Sequence, residues 1–530
     1  MKRTSSYPLW SSLVLYWLIT LALLGTAITR AGGHFGYPLD DTYIHMAMAK
    51  HLVNNGHWGL SAGAFSSSTS SPLWTLLIAL DYRWLGVNDW APLMLNLVCG
   101  SLVVFVSYSF LKTKLRPLTL LLVLLLIVLF VPLPVLTLSG MEHTLHGLLT
   151  LCLVYCGTTL VSAGKASRGQ IAIVLALSAL VPITRYEGLF LILTLALLLM
   201  SSRRFSLAML VGAAGILPVL AYGLLSLSKG WYLLPNSVLL KGNVPVASMK
   251  GAVDFLSRLP DNLGSVPHLL MVLVACLLVH LWRTQDEKSR RRSRTLILAF
   301  LTTALLHMQF AATGWFYRYE AYLVLLGLVI LGEELGLALA HLEGRAGSVA
   351  RVDVVLGATL AILMAIPLGV RAGRALRDYP LAVGNIYEQQ YQMGMFVKSH
   401  YDGKGVAAND IGAISYLSDA SVLDLFGLGS MDVTEAKREG RFDEGTIREW
   451  VRSHNVEIVM IYTRWLEGNI PGEWIEVGRW RIANNVACAA DTVSFYAPTK
   501  SQQQGAIDNL RAFSDLLPST IAQSGLYIRP

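Results

Sequence analysis

Apolar residues recur in long blocks from the start of the chain to about residue 370, separated by short polar joints. A bilayer-crossing helix needs roughly 20 apolar residues. Blocks of that kind lie near 8–29, 89–111, 117–138, 142–163, 168–184, 187–201, 206–228, 266–283, 295–313, 319–340 and 351–369. The run from Tyr7 to Thr29 follows Lys2 and Arg3. It is longer than a signal-peptide core and has no small-residue cleavage site, so it reads as a retained first span. The segment SPLWTLLIALDYRWLG, 71–86, is interrupted by Asp81 and Arg83 and reads as a twelfth span or as a helix lying in the interface.

After residue 370 the pattern changes. GKGVAAND, IGAISYLSD, SVLDLFGLG and VEIVMIY read as strand, helix, strand and strand, behind a helical connector near 381–400. The pattern predicts a polytopic α-helical membrane protein with about 11 transmembrane helices, interfacial helices in the first outer loop, and a C-terminal soluble α/β domain. The expected division is 1–369 and 370–530.

Composition supports this. Of 530 residues, 54% are hydrophobic and 14% charged, which excludes an ordinary soluble chain. With 71–86 in the interface, alternation puts Lys112, Lys114, Arg116, Lys165, Arg168, Arg203, Arg204 and the run WRTQDEKSRRRSR on the side of Lys2 and Arg3. The positive-inside bias then makes the N-terminus cytoplasmic and the C-terminal domain extracytoplasmic. The net charge of +8 belongs to that inner flank and argues for topology, not for nucleic acid. The five cysteines, Cys99, Cys152, Cys156, Cys276 and Cys488, form neither a disulfide framework nor a metal spacing.

The outward loops carry the candidate chemistry. The first holds Asp40, Asp41, His45 and His51. The next is GMEHTLH, with Glu142, His143 and His146, followed by TRYEG, with Arg185 and Glu187. The loop 229–265 contains WYLLPNSVLLKG with Lys241, and GWFYRYE brings Arg318, Tyr319 and Glu320. Each has a plain alternative. Asp40 and Asp41 suit the cap of the helix TYIHMAMAKHLVNNG. Arg185 and Arg318 suit interfacial anchors, and the aromatic residues suit an interfacial belt.

Taken in order, DDTYI followed by SSPLW, then GMEHTLH, TRYEG, PNSVLLKG and NDIGAISYLSDASVLDLFGL resemble the GT-C class of integral-membrane glycosyltransferases. Within it they are most similar to the mycobacterial-type terminal arabinofuranosyltransferases and their bacterial relatives. The resemblance implies transfer of a monosaccharide, with inversion, from a polyprenyl-phosphate carrier to an acceptor hydroxyl on the outer face of a bacterial plasma membrane. The acceptor would be a glycan, a lipid-linked glycan or a protein. It matches Asp40 to the general base and Asp41 to its orienting partner. A hydroxyl nucleophile needs a proton acceptor, and adjacent carboxylates raise each other's proton affinity.

Arg318, Arg185 and Lys241 are the expected donor-phosphate ligands, since cations stabilise the leaving phosphate. Tyr43, His45, Glu142, His143, Glu187 and Tyr319 are the expected substrate-binding residues. Some members of the class hold a divalent ion with acids of the first loop. This loop has no D-x-D, and neighbouring helical residues point in different directions, so the expected reaction needs neither metal nor cofactor. The competing reading is a secondary transporter or lipid-linked-sugar flippase. Such a protein would show ionisable residues in mid-span and an internal repeat; here the ionisable residues cluster at the outer rim.

Overall fold

Nearly every apolar block becomes a helix, because in hydrocarbon a helix satisfies its own backbone donors and acceptors. The computed structural model describes residues 5–61, 63–162, 166–242, 249–282, 287–342 and 348–528. They divide into two compact units: residues 1–22, 94–222 and 241–376 form the first, and residues 23–93, 223–240 and 377–530 the second.

The first unit is helical. The helices His143–Ser162 and Ala321–Leu342 are its centre: the most apolar window of each is 72% and 83% buried, against 22% for Tyr7–Arg30 and 33% for Phe205–Ser228, which leave most of their surface for lipid. Small residues permit close packing. A Cβ on Gly327 would lie 2.6 Å from Val272 and 2.7 Å from Phe300.

Among the described residues, five helices are long and apolar enough to cross a membrane: Tyr7–Arg30, Ala91–Leu111, His143–Ser162, Phe205–Ser228 and Ala321–Ala338. A sixth is formed if Val253–Ser265 and Pro267–Leu281, bent by 81° at their break, count as one span. The expected number of eleven is therefore not established. The block at 117–138 is broken by Pro132 into Pro117–Phe130 and Leu133–Leu138, and the helices at 168–184 and 188–201 are short. The segment 71–86 contains the 14-residue helix Pro72–Leu85, which is not among the candidate spans.

One expectation about the spans needs correction. Glu333 and Glu334 lie inside the span Ala321–Ala338, not at the outer rim. Both are paired, as charges in a membrane domain must be. Glu333 meets Lys114 at 2.6 Å, and Glu334 meets His280 at 3.5 Å and accepts from the Ser293 hydroxyl.

The second unit contains a six-stranded mixed sheet. Its strands are β1 (Gly405–Ala408), β2 (Ser421–Asp424), β3 (Val456–Ile461), β4 (Ile475–Arg481), β5 (Thr492–Ala497) and β6 (Ala522–Ser524), in the order β2-β1-β3-β5-β4-β6. β2, β1 and β3 run parallel; β5, β4 and β6 add antiparallel pairings. Ala407, Leu423, Val459, Ile461 and Tyr496 belong to the core of this part. The predicted connector near 381–400 is helical, with a wider π turn at Tyr387–Tyr391 between Ser348–Ile386 and Gln392–His400.

The first loop belongs to this unit. Its helix Asp40–Asn55 stops at Gly56, whose φ of 70° closes the helix in the left-handed region. The following helix Pro72–Leu85 starts on Ser71, which accepts the Trp74 N–H at 3.3 Å. Helix Asn236–Lys241 is fastened here through Asn236, whose backbone N–H reaches Ser67 O at 3.0 Å and whose side chain donates to Gly427 O at 2.9 Å and Thr434 Oγ1 at 2.8 Å. These bonds join PNSVLLKG to Ser67 in the first loop and to the glycine-rich stretch after β2.

Candidate functional site

In the second unit, Asp40 and Asp41 occupy the first turn of Asp40–Asn55 and are half-buried. They are not side-chain caps of that helix: its N-cap is Leu39, which makes no side-chain cap bond. Asp40 serves a different backbone. Its Oδ2 accepts the Gly412 N–H at 2.7 Å and its Oδ1 the Ala413 N–H at 2.8 Å, at the start of Gly412–Leu417. Glycine is required at 412, where a Cβ would stand 2.1 Å from Asp40 O.

Burial, then the negative charge of Asp410, pushes the Asp40 carboxyl up to about 8; the two N–H bonds oppose this, and Asp41 adds to the rise. Asp410 is itself fixed, its Oδ2 accepting from Gln390 Nε2 at 2.8 Å and Tyr462 OH at 2.6 Å. Asp410, Gln390 and Tyr462 were not among the sequence candidates. Asp410 was visible in NDIGA, but only folding brings it beside an acid of the first loop.

Tyr43 and His45, on the same helix, are buried. The Tyr43 hydroxyl accepts the Tyr37 N–H at 3.1 Å, and His45 Nδ1 lies 2.9 Å from Thr75 Oγ1 and 3.2 Å from Thr69 Oγ1. Both contacts fix the helix that carries Asp40.

The other candidates, except Lys241, converge in the first unit. Arg185 ends Arg168–Thr184 and makes a two-pronged bond with Glu187, Nη2 to Oε1 at 2.5 Å and Nε to Oε2 at 3.2 Å. Its Nη1 donates to Glu142 Oε1 at 2.5 Å and stands 2.9 Å from His143 Nε2. Arg185 is thus already neutralised by two carboxylates.

Tyr319 links this group to Arg318. The Arg185 guanidinium lies 5.5 Å from the Tyr319 ring centre, the Arg318 guanidinium 5.0 Å, and Arg318 Nη2 donates to Tyr319 OH at 3.3 Å. Arg318 is only 2% exposed, so its charge is held where solvent screens little. Lys241 closes the helix Asn236–Lys241. Among the described residues no group of three or more His, Cys, Asp or Glu is arranged to hold a metal ion.

A family model described as a domain of unknown function, DUF8728, matches residues 384–496, the connector and most of the sheet. No curated protein matches the chain by sequence. Solved structures do match. The crystal structure of ArnT from Cupriavidus metallidurans bound to undecaprenyl phosphate superimposes with a TM-score of 0.54 at 12% identity, covering 92% of this chain and 98% of that one. The apo oligosaccharyltransferase of Archaeoglobus fulgidus gives 0.53 at 12% identity, over 94% of this chain and 75% of that one. The same enzyme tethered to an acceptor peptide gives 0.53 at 11% identity, over 99% and 77%.

At such identities the likeness defines a fold. The chain is a multi-pass membrane protein with the GT-C glycosyltransferase fold.

Proposed function

We propose that the protein is an inverting glycosyltransferase that moves a monosaccharide from a polyprenyl-phosphate carrier to an acceptor hydroxyl at the outer membrane face. The observation that carries this reading is the Asp40 carboxylate, held by the Gly412 and Ala413 N–H groups with its proton affinity raised toward neutrality. A base works best when its pKa lies near the working pH. The GT-C fold supports the class, and ArnT is a lipid-phosphate-bound example of that fold. The motifs DDTYI, SSPLW and NDIGA favour arabinofuranosyl transfer in cell-envelope glycan synthesis, with a glycan, lipid-linked or protein acceptor.

In this mechanism Asp40 takes the acceptor's proton as the hydroxyl oxygen attacks the anomeric carbon from the face opposite the phosphate. Asp41 orients acceptor or base. The lipid phosphate leaves as a stable anion and needs no general acid. Arg318, among the aromatic residues of GWFYRYE, is its first ligand, and Arg185 and Lys241 are the others. Glu142, His143, Glu187 and Tyr319 line the donor side, while Tyr43 and His45 hold the helix of the base. Metal-independent chemistry is part of the proposal, since Asp40 and Asp41 are adjacent and no D-x-D is present.

The test is to supply purified protein in proteoliposomes with a panel of polyprenyl-phosphate sugars and follow transfer or slow hydrolysis by mass spectrometry, with lipid transport measured on the same vesicles. Transfer supports the reading. Lipid translocation without transfer, from any donor in the panel, replaces it with the flippase.

A further inference from the structure

The sequence GWFYRYE folds into a turn that suits its glycine but not its aromatic residues. Gly314 has φ of 81°, Phe316 48° and Tyr317 61°. Two consecutive bulky residues with L chirality are thus held in the left-handed region, which each avoids when free. Such a turn persists only where its surroundings over-determine it. A buried trio beside it does so. Glu320 Oε2 accepts the Gly314 N–H at 2.9 Å. Arg371 Nη2 donates to Tyr317 O at 2.5 Å and to Glu320 Oε1 at 3.1 Å, while its Nη1 reaches Phe130 O at 3.1 Å. His268 Nε2 stands 3.5 Å from Glu320 Oε1. The Arg371 guanidinium also lies 5.6 Å from the Tyr317 ring centre.

The arrangement grips the turn at both ends. Glu320 holds its first N–H and Arg371 its last carbonyl, and the two are joined to each other. Glu320 is 1% exposed, Arg371 7% and His268 7%. A buried ion pair is a poor route to stability alone, because apolar side chains of similar size often do as well or better. It does impose one geometry. The residue that follows the gripped turn is Arg318, whose guanidinium is thereby set against Tyr319.

We infer that Glu320, Arg371 and His268 are positioning residues that hold the turn 314–317 in its left-handed form and so fix Arg318 for the phosphate of the lipid-borne donor. This rests on the donor-phosphate role given to Arg318 above. None of the three needs to touch the substrate. Their work is to keep the Arg318 donors in place before the donor arrives, so that no reorganisation accompanies the reaction.

The experiment is a double-mutant cycle in the full-length protein, reading KM for the polyprenyl-phosphate sugar and kcat separately. Arg371→Gln is expected to lower kcat/KM for the donor by about 100-fold, the scale of a 1 Å misplacement, with KM for the acceptor unchanged. In the Arg318→Ala background the same change should cost little more, because the residue it positions is gone. Glu320→Gln, close in shape, should follow Arg371→Gln and serves in its place if that variant does not fold. Equal losses with and without Arg318 would make the trio merely structural and overturn the inference. An Arg318→Ala enzyme with wild-type donor kinetics would instead overturn the role of Arg318 itself.

Discussion

Asp40 accepts the backbone N–H of Gly412 at 2.7 Å, joining two residues 372 positions apart. With Ala413 donating to the other oxygen at 2.8 Å, the carboxylate is tied to the C-terminal sheet region and not to its own helix. This ties DDTYI to NDIGA physically. Asp40 thus satisfies the start of a helix other than its own while the charge of Asp410 raises its proton affinity.

Gly412→Ala tests how closely the two segments must approach. Its Cβ would fall 2.1 Å from Asp40 O, a backbone atom that cannot swing aside. Overpacking of this kind commonly costs about 1–3 kcal/mol. We expect a lower melting temperature together with a loss of turnover. A variant with wild-type melting and activity would mean that the contact is slack.

The pH dependence follows from the burial of Asp40 and from the charge of Asp410. The Asp40 carboxyl is raised to about 8, by burial first and Asp410 second. A base must be ionised, so kcat/KM should rise with pH through about 8 and then level. Stability runs the other way. Between the ordinary carboxylate range, about 4, and 8 the folded protein keeps a proton that the unfolded chain releases, so this group's contribution falls as pH rises. Asp410→Asn removes the repelling charge and should move the rising limb to lower pH. An unmoved limb in the Asp410→Asn profile would assign the rise to another group.

Much of this was legible in the sequence, and the failures have identifiable causes. Helices followed from the apolar blocks, though not the number of spans, and β1, β2, β3 and the helix between the first two followed from local pattern. β4 and β5 carry strand signals of their own, since WIEVGRWR alternates apolar and polar residues and TVSFYA lies between Asp491 and Pro498. Helix Met249–Ser265 lies within the expected loop 229–265, because its charges mask a one-sided apolar face. In the site, Asp40, Arg185 and Arg318 were visible as outward charges. Their partners were not: Asp410, Gln390, Tyr462 and Arg371 are ordinary polar residues in sequence, and only long-range packing gives them roles. For Glu333 and Glu334, nothing local announces Lys114, His280 and Ser293 as their partners.

Topology is open to direct measurement. Ser201 ends the helix Gly188–Ser201 beside Arg203 and Arg204, while Ser501 is exposed on Lys500–Ser514. With the N-terminus cytoplasmic, a cysteine at 501 should react with an impermeant maleimide on intact cells and one at 201 only after permeabilisation. The reverse pattern would put the C-terminal region inside and remove it from an outer-face reaction.

Arg318→Ala should weaken use of the lipid-phosphate donor more than it weakens folding. A guanidinium can offer a phosphate two charge-assisted bonds, which Lys replaces in part. Removing a preorganised donor of this kind commonly costs about 2.7–4 kcal/mol of transition-state stabilisation. Arg318→Lys should therefore fall between wild type and Arg318→Ala in kcat/KM for the donor. If donor affinity and turnover in Arg318→Ala equal wild type, the residue is an interfacial anchor.

The acid pair itself gives the most direct test. Asn caps helices about as well as Asp, and in Asp40→Asn its single carbonyl oxygen can still accept one of the two N–H bonds from Gly412 and Ala413. It cannot take a proton from the acceptor. A purely structural Asp40 predicts a modest drop in melting temperature and an active protein. The base predicts a loss of turnover of about 100-fold or more, with donor binding retained and the limb near pH 8 absent from what activity survives. Asp41→Asn should be milder and keep that limb, because an orienting carboxylate acts through geometry and does not exchange the proton. Equal losses at both positions would leave the pair acting jointly as one base. Undiminished transfer by Asp40→Asn would return the carboxylate to the single task of holding Gly412 and Ala413.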